Sequence, residues 1–199
     1  MFPSEINNFI EKFSKLPSIG PRMATRLAFY LSERDPRWLS ELAQSIVNLS
    51  GLSVCEMCFG TAEKGKSLCS VCQNGERNKK MVAIVEKQTD VFTIEKAGGY
   101  RGSYLVLGEL KSDGMLEENQ KKRLSALSKR IEAEHKGKIE EIIIALGPNT
   151  FGDFVAGIIK QEFKNKAERI TRIGRGIPTG GQVEFADEET LRNSLENRK

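Results

Sequence analysis

All four cysteines of this 199-residue chain lie in CEMCFGTAEKGKSLCSVC, residues 55–72, as two Cys-x-x-Cys pairs with ten residues between them. Each pair can aim two thiolates at one ion, and two facing pairs complete a tetrahedral shell of sulfur around Zn²⁺. Two competing readings need other settings. A disulfide staple belongs to an oxidising compartment. A thioredoxin-type redox centre needs one such pair at a helix N-terminus in a βαβ unit, not two in tandem. The intervening FGTAEKGKSL is polar and glycine-bearing, which suits a short ribbon or knuckle. The expected ligands are Cys55, Cys58, Cys69 and Cys72. Their expected role is structural, because four thiolates leave no open position for water.

Composition bounds the class. Hydrophobic residues make up 39% and charged residues 29%, enough apolar material for a core in a soluble protein. No apolar run approaches the roughly 18 residues needed to span a bilayer. MFPSEINNFIEKFSKL has neither a basic n-region nor a continuous apolar stretch, so a cytoplasmic location is expected. The net charge of +4 is mild and does not identify nucleic acid as a partner. Placement of the cations matters more.

The chain changes its grammar half-way. Ile6, Phe9, Ile10 and Phe13 recur at helical spacing, and Pro21 suits the first position of a second helix with Ala24, Leu27, Ala28 and Leu31 on one face. Asp35 and Pro36 are expected to open a third helix with Leu39, Leu42, Ala43, Ile46 and Val47 turned inward. After the cysteines, short runs at 81–86, 104–108, 141–146 and 168–173 read as strands. Helices are expected between them at about 90–97, 117–135 and 152–165. That alternation predicts an α/β fold with a mostly parallel sheet, behind a helical N-terminal region and with the cysteine module as the joint.

LPSIGPRMATRLAFYL, residues 16–31, joins two helices by a tight turn. Gly20 can take angles other residues resist, and backbone N–H groups lie exposed before a helix N-terminus. Arg22 and Arg26, four apart, share a face and can neutralise adjoining phosphates. The plain alternative is an ordinary helical hairpin with surface arginines. The sharper reading is sequence-independent DNA binding.

The order of blocks carries a resemblance. LPSIGPRMATRLAFYL looks like a helix-hairpin-helix. It is followed by the four-cysteine ribbon, then VAIVEKQTDVFTIEKAGGYRGSYLVLGEL, then GRGIPTGGQVEFADEETL. Over essentially the whole chain this is similar to the bacterial RecR family of recombination mediators. The resemblance implies a helix-hairpin-helix region at 1–53, a C4 zinc finger at 54–76, a Toprim domain at 78–174 and a C-terminal loop and helix at 175–199 used in oligomerisation. It also implies one structural Zn²⁺ per chain and a non-enzymatic protein that forms a tetrameric ring and binds DNA. Its partners would be RecO and RecF, helping RecA onto single-stranded or gapped DNA covered by single-strand-binding protein. The DNA-contacting pair falls on Arg22 and Arg26.

Catalytic Toprim domains hold Mg²⁺ with a glutamate after the first strand and an acidic pair after a later one. Glu86 stands at the first position. In ALGPNTFGDF, residues 145–154, Gly147 and Phe151 replace the residues usual in the family, and Asp153 remains. The resemblance therefore implies a docking role for Glu86 and Asp153, with a small Mg²⁺-dependent nuclease as the alternative and a protein-only adaptor as a third reading. VEFADEETL has been likened to a Walker B box, but no G-x-x-x-x-G-K-[ST] accompanies it. Asp187 is expected to cap a last helix with Leu191 and Leu195. His135 reads as a surface residue, and Tyr100 with Arg101 as a packed loop. Lys64, Lys66, Arg77, Lys79 and Lys80 read as a solvated face.

Overall fold

Prolines 21 and 36 set where two of the first three helices begin: each sits at the first helical position, where a missing N–H costs nothing and φ is already helical. The computed structural model describes residues 2–111, 115–196 and 198, and the chain divides at Leu52/Ser53 into two units. The first unit holds α1 (Ser4–Phe13), α2 (Pro21–Ser32) and α3 (Pro36–Leu49). Asp35 caps α3 as expected, accepting from the Arg37 N–H at 2.8 Å and the Trp38 N–H at 3.4 Å. α1 packs on α2, where Ala24 and Ala28 are the buried side chains. The Phe9 and Phe13 rings stack with centroids 3.8 Å apart.

The α3 expectation is corrected. Leu39 and Leu42 are half-buried, but Ala43 is exposed, and Ile46 and Val47 are 52% and 59% exposed. Periodicity marks an apolar face and says nothing about what covers it. No side chain of α3 is buried.

The second unit opens with a two-residue antiparallel ribbon, β1 (Ser53–Val54) with β2 (Thr61–Ala62), and the short helix α4 (Ser70–Gln73). Four strands follow: β3 (Asn78–Val85), β4 (Gly102–Val106), β5 (Ile139–Ala145) and β6 (Ala167–Arg172). They form one parallel sheet in the order β4-β3-β5-β6, with Ile84 between Leu105 and Ile144. The crossovers are α5 (Gln88–Ala97), α6 (Glu118–His135) and α7 (Thr150–Phe163). Each expected strand and helix is present, with ends displaced by a few residues.

Alternation along the strands sends side chains to two faces. On one, Val82, Ile84, Leu105, Ile142 and Ile144 pack beneath Leu124, Leu127, Ile159 and Phe163 of α6 and α7. On the other, Ala83, Val85, Tyr104 and Val106 pack against Val91 of α5 and against Cys55, Cys58 and Cys72. The cysteine module is thus a layer of this unit, covering the β3–β4 half of the sheet. Full burial of each Leu, Ile or Phe contributes on the order of 1.5–3 kcal/mol.

Arg77 departs from its expected place on a solvated face. It pairs with Glu95, donates to the Gly102 carbonyl at 2.9 Å, and Glu95 in turn accepts the Tyr104 hydroxyl at 2.5 Å. Lys64, Lys66, Lys79 and Lys80 are exposed as expected. α6 ends at Lys136 in the left-handed region, where the Gly137 N–H returns to the Ile131 carbonyl at 3.1 Å. After β6 a 3-10 turn at Val183–Phe185 leads to α8 (Glu188–Glu196), and Asp187 accepts from the Thr190 N–H at 2.8 Å. No helix among the described residues is long and apolar enough to cross a membrane.

Candidate metal centre and nucleic-acid interface

Backbone hydrogen bonds bring the two cysteine pairs face to face. The Cys55 N–H donates to the Gly60 carbonyl at 2.7 Å and the Phe59 N–H to the Cys55 carbonyl at 2.9 Å, which closes the first turn. A Glu56 N–H to Ser67 carbonyl bond of 2.9 Å joins it to the second, where Cys69 precedes α4 and Cys72 lies on it. The four Sγ atoms all lie within 4.8 Å of one another. Cys58 and Cys69 approach to 3.6 Å, and the Gly60 N–H points at Cys58 Sγ from 3.4 Å. Cys55, Cys58 and Cys72 are buried and Cys69 is half-buried.

Ionisation of this cluster is uneven. A hydrogen bond from Cys72, aided by the Gly60 N–H, pulls the Cys58 thiol down to about 5. That bond, burial and the adjacent Cys58 charge push Cys72 up. Burial foremost, with the same charge, raises Cys69. The Cys58 thiolate forms readily while Cys69 and Cys72 resist, because crowded negative charges repel. A divalent cation removes that obstacle, and an all-sulfur tetrahedral set suits Zn²⁺. Among the described residues no other group of three or more His, Cys, Asp or Glu side chains is close enough to share an ion.

The α1–α2 turn has a different geometry from the one expected at Gly20. Gly20 has φ −83° and ψ 171°, ordinary extended angles, and a Cβ there would meet nothing within 4 Å. The following Pro21 imposes that conformation. The left-handed residue is Ser18, with φ 63°. Gly20 matters instead as a helix cap without a side chain: no side-chain oxygen caps α2, so its first N–H groups remain open to an anion. Arg22 and Arg26 are exposed, and no ion pair engages either among the described residues.

The acidic pair lies at the carboxyl end of the sheet. β3 leads through α5 to one side and β5 continues to the other, so the strand order reverses there, where open α/β sheets take ligands. A cleft of about 680 Å³ opens at this point, lined by Glu86, Asp90, Gly147, Arg172, Arg175 and Asp187 among others. Glu86 accepts the Leu110 N–H at 3.3 Å and has Lys87 Nζ 3.9 Å away. Asp153 is not the free carboxylate the sequence suggests. It accepts from both Arg172 and Arg175, and Arg175 also lies 3.5 Å from Glu189 of α8. Burial alone would raise the Asp153 carboxyl, but the two guanidinium groups outweigh it and hold it below its usual range.

Comparison with known proteins follows the same blocks. The RecR helix-hairpin-helix family matches residues 6–49, the Toprim family residues 80–174 and the RecR C-terminal family residues 176–199. The chain is 36% identical to Recombination protein RecR of Chloroflexus aggregans, over 100% of this chain and 95% of that protein. It is 35% identical to Recombination protein RecR of Dehalococcoides mccartyi, covering 98% and 93%. The chain belongs to the RecR family. A third RecR, from Roseiflexus castenholzii, is 35% identical over 100% of this chain and 95% of its own.

Spacing along the sequence anticipates the clustering of the four cysteines but not the side chains that hold the crevice. Arg172 closes β6 and Arg175 follows it, and both look like surface charges along the chain. They reach Asp153 because β6 lies beside β5, whose exit leads into α7. The supports of the cysteine module were missed too. Gln88 Oε1 accepts the Thr61 N–H at 3.0 Å, and Arg130 donates to the Met57 carbonyl. No local signal marks either.

Proposed function

We propose that this RecR-family chain is a non-enzymatic recombination mediator. It grips DNA without reading sequence and acts with RecO and RecF to promote RecA loading on single-stranded or gapped DNA. The observation that carries the reading is the open N-terminus of α2 beside two exposed guanidinium groups that no ion pair engages among the described residues, on a hairpin of the RecR type. Phosphate contacts of this kind position a protein on DNA and carry no base information. Cys55, Cys58, Cys69 and Cys72 would hold one structural Zn²⁺, which supplies cross-linking of the module and no chemistry on substrate.

A single hairpin makes few phosphate contacts, so several must act together through effective concentration. Self-association has support in the first unit, where Ala24 and Ala28 are the buried hydrophobic residues and Ile46, Val47 and Leu49 are exposed. A unit of that size with so little buried surface is marginal on its own. The reading is a ring of four copies joined in part through these faces. Mass measurement in solution tests it: a tetramer that gains mass with RecO and with gapped DNA is expected, and a monomer indifferent to both would refute it.

Catalysis has little support. Asp153 is neutralised by Arg172 and Arg175, and among the described residues Glu86 belongs to no group of three or more His, Cys, Asp or Glu side chains that could share an ion. Toprim chemistry needs converging carboxylates around a hard cation. The same end of the sheet serves better as a docking platform for RecO. Phe151 and Phe154, 38% and 58% exposed, flank Asp153 on α7 and would add apolar contact. Labelled DNA incubated with the protein and Mg²⁺ is expected to remain intact. Cleavage that disappears in Glu86→Gln would replace the mediator reading with a nuclease.

A further inference from the structure

The cysteine module is hydrogen-bonded into the sheet at Val106. The Cys58 carbonyl accepts the Val106 N–H at 2.8 Å, so a metal-ligand turn lies along the outer edge of β4. Arg123 of α6 takes the other polar group of the same residue, donating to the Val106 carbonyl at 2.8 Å. Between them sits Phe59, half-buried against the core beneath α6, with the Arg123 guanidinium 5.4 Å from its ring centroid. Phe59 has φ 61°, a conformation bulky side chains rarely adopt. Its neighbour Gly60 is equally confined, since a Cβ there would lie 2.3 Å from Gln88 Oε1.

From Val106 the chain runs directly to the crevice. The Leu107 N–H donates to the Val85 carbonyl at 2.8 Å and the Gly108 N–H to the Glu86 carbonyl at 3.0 Å. The Leu110 N–H then reaches the Glu86 carboxylate at 3.3 Å. One continuous set of bonds therefore links a cysteine carbonyl to the glutamate at the end of β3.

We propose that Cys58 and Phe59 transmit the occupancy of the four-sulfur site to residues 106–110 and so to Glu86, which makes Phe59 a positioning residue for the crevice. The proposal rests on the reading of the cysteines as a metal site. With all four sulfurs bound, the 55–60 turn is rigid and the Cys58 carbonyl is fixed against β4. When the sulfurs are unliganded, the turn loosens, Val106 loses the acceptor on its outer side, and the 107–110 segment loses its anchor.

Hydrogen exchange read by mass spectrometry on the full-length protein tests this, with metal content measured in parallel. After stripping with a chelator, exchange should quicken by about tenfold or more at 54–72 and also at 106–110, while 139–145 and 167–172 stay within about twofold. Phe59→Gly keeps the turn, since glycine takes positive φ freely. This variant should retain one metal per chain yet exchange about tenfold faster at 106–110. Quickening confined to 54–72, or spread evenly over the sheet, overturns the proposal. So does a Phe59→Gly protein that loses its metal or leaves 106–110 unchanged. A protein that neither carries nor takes up metal removes the metal reading itself and the proposal with it.

Discussion

Changing Arg22 and Arg26 together to alanine should weaken DNA binding by roughly thirtyfold per engaged hairpin near 0.1 M salt. Each neutralised phosphate contributes about 0.7–0.9 to the slope of log affinity against log salt, so two contacts are worth about 1.5 log units at that concentration. The slope should become shallower by the same amount. Both side chains are exposed, so the fold should be untouched and the thermal midpoint close to that of the parent. Fluorescence anisotropy over a salt series reads affinity and slope together. An unchanged slope would move the DNA contact to another surface and favour a protein-only adaptor. A weakened affinity with the same slope would mean that the arginines shape the hairpin and do not touch phosphate.

Cys58→Ser is expected to have the largest effect on stability. Structural Zn²⁺ sites in small peptides bind with apparent free energies of about 10–16 kcal/mol, comparable with the whole stability of an ordinary domain. Hydrogen bonding within the cluster also favours the Cys58 thiolate, and its turn is buried against β4. Metal content should fall below one per chain, and the unfolding transition should drop by tens of degrees or lose its cooperativity. Acid should act in the same direction. Protons compete with metal for thiolates, so metal is held at neutral pH and released as pH falls. Metal analysis of dialysed protein and a calorimetric scan check both statements. A variant with full metal content and a parental transition would show that Cys58 is not a ligand.

The sheet was legible because its strands are runs of Val, Ile and Leu, and buried parallel strands have little else to offer. Their starts were not. β3 begins at Asn78 through Lys79 and Lys80, whose polar side chains conceal a backbone already paired with the strand beside it at Gly102. The clustering of the cysteines was legible from spacing, since two Cys-x-x-Cys turns within eighteen positions can face one point. Their packing on the sheet was not, since it depends on which strand lies at the edge. Gly20 illustrates a local error. A glycine before a proline suggests conformational freedom, yet the proline takes that freedom away and Ser18 makes the unusual turn. Arg172 and Arg175 illustrate a non-local one, because strand order brings them to Asp153 and no window of sequence contains that order.

β6 ends the sheet, so among the described residues one side of its backbone has no neighbouring strand. Exposed rims of this kind invite other chains to stack on and grow into fibres. Glu168 and Arg169 stand along this one, both solvated and turned to opposite faces, and an incoming strand would have to strip water from a charge on either face. Such a guarded border therefore discourages a neighbouring chain from adding a fifth strand to the sheet.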